Sequence, residues 1–114
     1  VRLIIIPASD EVLKESIEKG YVQELIEAGA TFTAPGCGPC LGTHGGLLAD
    51  DEVCITSTNR NFPGRMGSTK ASIYISSSMT VAASALNGYI TAHTIQGRDV
   101  DEGYCSWESI CIRR

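Results

Sequence analysis

The sequence predicts an α/β domain, and three observations carry that prediction. A continuously apolar, β-branched run opens the chain, a capped helical pattern follows it directly, and the strand–helix–strand order then recurs downstream. With 114 residues there is material for one small domain and one core.

Val1 to Ala8, "VRLIIIPA", reads as a fully buried strand of parallel type bounded by Pro7. Ser9 or Asp10 can cap the helix that follows, and Asp10 and Glu11 suit its positive end. Leu13 and Ile17 are expected to share its inner face, and Lys19 with Gly20 to end it. Val22, Leu25 and Ile26 predict a second helical piece closing near Gly29, and Thr31 to Thr33 a short strand. "EVCITST", Glu52 to Thr58, predicts a further strand, and Ile73 to Ile75 another. "SMTVAASALNG", Ser78 to Gly88, is rich in small residues and reads as a closely packed helix capped by its glycine. From His93 onward the apolar residues are scattered, so residues 93–114 are expected to form a loosely ordered, atypical tail, even a non-native one.

Composition narrows the function classes. The apolar fraction is 43%, charged residues make up 19%, and the formal net charge is −4, which is globular and offers no basic block for nucleic-acid phosphates. No apolar run approaches the roughly 20 residues that span a bilayer. Five cysteines at irregular spacing favour a reducing cytoplasm over a secreted disulfide framework. A chain that starts at Val1, almost inside a strand, reads as a processed product or a fragment.

Two stretches carry chemistry. "TFTAPGCGPCLGTHGG", Thr31 to Gly46, holds the C-x-x-C of Cys37 and Cys40. A redox couple would want these cysteines at a helix start, and Gly42, Gly45 and Gly46 oppose one. Zinc wants four ligands, and His44, Cys54, His93, Cys105 and Cys111 form no second paired motif. An iron–sulfur site also takes several thiolates, with glycine-rich backbone offering N–H groups to its sulfurs. Spacing leaves these readings open, along with two reduced cysteines in a packed turn. The second stretch, "NRNFPGR", Asn59 to Arg65, places two arginines five residues apart on a turn-rich loop. Guanidinium groups bind carboxylates in bidentate fashion at any relevant pH, and Asn59 adds an amide. Taken by itself the stretch could equally be a solvated polar loop.

Together, in "GATFTAPGCGPCLGTHGGLLADDEVCITSTNRNFPGRMGS", the two motifs resemble the aconitase superfamily. The likeness is greatest to the large subunit of the 3-isopropylmalate dehydratase and homoaconitase branch, and it runs from Val1 to about Ala92. The resemblance implies a partial three-layered αβα sandwich of the aconitase iron–sulfur type over residues 1–92. It implies that Cys37 and Cys40 are two of three thiolates of a [4Fe–4S] cluster, that Arg60 and Arg65 meet a substrate carboxylate, and that Asn59 lies beside substrate and cluster. The implied reaction isomerises a hydroxy di- or tricarboxylic acid by dehydration and rehydration, as in leucine biosynthesis. The implied partners are the rest of the large subunit and a small, swivelling-domain subunit.

The third cluster cysteine of the family lies in an "SCTN"-like segment that this chain lacks, and the serine base belongs to the absent small subunit. No catalytic residue is therefore assigned here, and the isolated chain is expected to be inactive. Cys54 is expected to be a packed structural thiol, His44 a loop histidine, and Cys105 and Cys111 to have no family counterpart. Two other functions compete with the hydro-lyase. One is a stand-alone iron–sulfur or metal module with Cys54 or Cys105 as third ligand. The other is an RNA-binding regulator, which the acidic balance disfavours.

Overall fold

In the computed structural model, the described residues are 1–42 and 45–92, together with the backbone of 107–113. They form strand β1 (Arg2–Pro7), helices α1 (Asp10–Glu18) and α2 (Tyr21–Glu27), and strands β2 (Thr31–Phe32), β3 (Val53–Thr56) and β4 (Ser72–Ile75). Helix α3 (Ser78–Asn87) and strand β5 (Trp107–Arg113) complete the order. A single 3-10 turn, Gly38–Leu41, lies between β2 and β3.

The five strands make one mixed sheet in the order β2-β1-β5-β3-β4. β1 pairs parallel with β2, and β3 pairs parallel with β4. β5 runs antiparallel between β1 and β3, joining the two parallel pairs. This corrects the expectation of a loosely ordered tail for Trp107–Arg113, which occupy the centre of the sheet. Cys111 enters there as a backbone position opposite Leu3 and Ile55. His44, His93 and Cys105 lie outside the described residues.

Caps fix the helices where the sequence placed them. The Ser9 hydroxyl accepts from the Val12 amide at 3.3 Å, and Gly20 starts α2 at φ +79°. Ser77 caps α3 by accepting from the Thr80 amide, and Gly88 ends it in the left-handed region. The inner face of α1 differs from expectation. Ile17 is 58% exposed, whereas Ser16 is buried. The serine hydroxyl satisfies itself by donating to the Val12 carbonyl at 2.6 Å, so its burial leaves no polar group unpaired.

Alternation along β1 and β3 gives the sheet two distinct faces. On one face Leu3 and Ile55 meet Val81 and Ala85 of α3. On the other, Ile4, Ile6 and Cys54 meet Leu48, Met66, Ala71 and Ile73. A helix thus covers the first face, whereas connecting loops supply Leu48 and Met66 to cover the second. Fully burying side chains such as Ile6 and Met66 is worth about 1.5–3 kcal/mol each. Cys54 belongs to this core, as expected of a packed thiol.

Candidate functional site

Both motif loops lie on the loop-covered face. The first is laid down by glycines. A Cβ on Gly38 would sit 2.7 Å from Cγ1 of Ile6, and one on Gly46 would sit 2.5 Å from Cδ1 of Ile4. The loop backbone therefore rests on the β1 side chains themselves. The Cys40 amide donates to the Cys37 carbonyl, the Gly42 amide donates to the Pro39 carbonyl at 2.9 Å, and Gly42 ends the turn at φ +70°. Glycine cost thus limits the segment to one 3-10 turn where a redox C-x-x-C would want a helix. Cys37 is exposed and Cys40 is buried, both as free thiols.

The second loop leaves β3 through a pair of buried threonines. The Thr58 amide donates to the Thr56 hydroxyl, and the two hydroxyls are bonded to each other at 3.2 Å. The Asn61 side chain then donates to the Ile73 carbonyl at 3.0 Å, tying the loop to β4. Phe62-Pro63-Gly64-Arg65 closes with the Arg65 amide on the Phe62 carbonyl at 3.0 Å. Proline in second position and Gly64 at φ +83° in third are what a type II turn requires.

Backbone contacts stitch the two loops together. Leu48 bridges to Gly67, with its amide on the Met66 carbonyl and its own carbonyl accepting from the Ser68 amide. Any Cβ on Gly67 would strike Leu48 N and O, and one on Gly42 would lie 2.5 Å from the Arg65 carbonyl. Side chains reinforce the seam. Asp50 accepts from Ser68 and from Lys70, the latter at 2.7 Å, and these two donors hold its carboxyl below the usual aspartate range, Lys70 foremost. Buried Glu52 accepts from the Ala49 amide at 2.9 Å and from Arg2 at 3.4 Å, closing the strand-side end of the first loop.

The seam brings Arg65 to Cys40. One terminal nitrogen of the guanidinium lies 3.8 Å from the Cys40 sulfur, and the guanidinium carbon sits 5.3 Å from the centre of the Phe62 ring. The Arg65 Nε is buried and has no hydrogen-bond partner among the described residues. Asn59 and Arg60 are exposed, and among the described residues no hydrogen bond or ion pair links them to the cysteines. Of the five residues singled out in the sequence, the structure therefore joins Cys40 to Arg65, with Cys37 on the same turn. Reading by motif missed Phe62, Glu52 and the Thr56–Thr58 bracket. Phe62 lay inside the quoted motif, and its position three residues before Arg65 across a Pro-Gly turn was the signal.

One thiol, Cys40, thus lies beside a half-buried guanidinium, with Cys37 on the same turn, on the loop-covered face of a mixed α/β sheet. Residues 1–88 match the model of the aconitase family (aconitate hydratase), and the chain belongs to that family. It is 54% identical over 91 residues to the homoaconitase large subunit of Thermus thermophilus, covering 80% of this chain and 22% of that relative. It is 53% identical over 90 residues to the 3-isopropylmalate dehydratase large subunit 2 of Archaeoglobus fulgidus, covering 79% of this chain and 22% of the relative. The corresponding subunit of Pyrococcus furiosus is 56% identical over 91 residues, covering 80% of this chain and 24% of the relative. The chain thus spans between a fifth and a quarter of the length of these relatives.

Proposed function

We propose that this chain is part of the large subunit of a hydro-lyase that isomerises a hydroxy di- or tricarboxylic acid by dehydration and rehydration. The contact between Arg65 and Cys40 carries the proposal, because it sets a carboxylate-binding group against a thiol ligand. The donor set fits a [4Fe–4S] group in part. Cys37 and Cys40 are free thiols on one turn, glycines flank them in the chain, and a buried N–H of Arg65 has no acceptor among the described residues. Cys37 and Cys40 would hold the group together with a third thiolate from the rest of the subunit. When bound, it supplies a Lewis-acidic iron that helps a substrate hydroxyl leave.

The chain's own residues bind and orient. Arg65 receives a substrate carboxylate, and its fixed charge also counters the negative charge that builds up as a proton is removed. Exposed Arg60 and Asn59 meet the substrate from the same loop once the rest of the enzyme closes over it. The proton itself moves to and from a base on the small subunit, so the isolated chain is inactive. In the assembled cytoplasmic enzyme the mixed sheet is one part of a three-layered αβα sandwich. Cys54, in the apolar core with Ile4, Ile6, Leu48 and Met66, is poorly placed as the third ligand of a stand-alone module.

The test is a segment exchange. Residues 1–92 replace the matching stretch of the Thermus thermophilus homoaconitase large subunit, which is then loaded with iron and sulfide and paired with its small subunit. Turnover in the chimaera, lost on Cys40→Ser and on Arg65→Gln, is the expected result. A chimaera that folds and takes up the full complement of iron and sulfide, yet dehydrates no hydroxy acid, would overturn the assignment.

A further inference from the structure

Phe62 has no place in either core and is 56% exposed, yet its ring lies against an arginine that touches a cysteine. The turn explains the meeting. Closing Phe62 onto Arg65 through the amide–carbonyl bond folds the guanidinium back over the ring, and Pro63 with Gly64 restricts the turn to that shape. An arginine side chain has many rotamers to lose when it binds an anion. One held between a ring and a sulfur has already lost most of them.

We propose that Phe62 is a positioning residue, whose ring holds the Arg65 guanidinium ordered beside Cys40 so that a carboxylate meets it preformed. The proposal rests on the reading of Arg65 as a carboxylate-binding group. It is specific to an aromatic ring, because the attraction comes from the negative face of the π-system rather than from apolar area. Leucine fills much of the same space and has no such face. For an exposed ring the attraction corresponds to about a two- to five-fold change in an equilibrium constant.

Two measurements test it. In the 114-residue chain, the Arg65 Nε–H signal is followed by nitrogen-edited NMR, and its solvent exchange is measured. Phe62→Leu is expected to speed that exchange about two- to five-fold, and Phe62→Tyr to leave it as in the parent. Unchanged exchange in Phe62→Leu, or equal acceleration in both variants, would sink the positioning role. In the assembled enzyme, Phe62→Leu is expected to raise KM about two- to five-fold with kcat held within about two-fold, and Phe62→Tyr to restore KM. A KM that does not move would show that ordering Arg65 does not serve the substrate. A parent enzyme without any turnover would defeat the hydro-lyase reading, while the exchange measurement would still decide the role of Phe62.

Discussion

The two faces of the sheet are covered in opposite ways. α3 packs Val81 and Ala85 onto Leu3 and Ile55, and its ties are mostly its own: a serine N-cap, a glycine C-cap, and buried Ser84, which donates to the Thr80 carbonyl and also accepts from the Thr91 amide beyond the helix. Across the sheet, Leu48 and Met66 reach the core from loops whose regular structure, among the described residues, is limited to one 3-10 turn and one isolated bridge. Those loops are held by backbone contacts between segments about twenty residues apart in sequence, and they carry both chemical motifs. A helix supplies its own hydrogen bonds, so its face can be simple and unreactive. A loop must borrow partners from its neighbour, and the borrowing is what brings Arg65 to Cys40.

The largest expected effect follows from that dependence. Gly67→Ala puts a methyl group into the Leu48 backbone at φ +131°, where neither side of the contact can yield. It should cost about 3 kcal/mol in urea unfolding and speed alkylation of buried Cys40. If stability and Cys40 reactivity both stay at the parent values, the loops are not locked as described. Val81→Ala on the helix face should cost about 2 kcal/mol through a cavity and leave Cys40 reactivity unchanged. A thiol that becomes reactive in Val81→Ala would mean that the two faces are coupled. Gly88→Ala sharpens the contrast further. It shares a positive φ, +76°, but has nothing within 4 Å, so only conformational strain of about 1 kcal/mol is expected.

What the sequence made legible follows the same division. β1, the cap of α1 and the glycine end of α3 were readable because their signals are local: Leu3 to Ile6 is continuously apolar, and Ser9 and Gly88 stand at their boundaries. The two motifs were readable as residue types. Their meeting was not, since it depends on Gly42 and Gly67 admitting backbone from the other loop. Met66 looked like one residue of a polar connection and is fully buried. β5 escaped for a related reason: "WESICIR" is too short and mixed to show a period, and its strand state comes from pairing with β1 and β3 on either side. Ser16 misled because a serine that satisfies its own hydroxyl within the helix can take a core position that apolar periodicity assigns elsewhere.

The smallest predicted effect tests the outer edge of the seam, where charge joins the loops. α3 carries no charged residue, whereas Asp50 follows the first loop and its donors Lys70 and Ser68 follow the second. Because these donors lower the folded-state pKa of Asp50 from its reference of 3.8, the pair stabilises the fold above that reference. The contribution is lost as pH falls through the lowered value. Asp50→Asn should therefore melt about a degree or two below the parent near neutral pH, and the gap should narrow steadily as the solution is acidified below about pH 4. High salt at neutral pH should narrow it as well, because the pair is exposed and screened. A gap that ignores both pH and salt would mean that Asp50 acts through the shape of its turn, leaving the backbone contacts of Leu48 with Met66 and Ser68 as the whole of the lock.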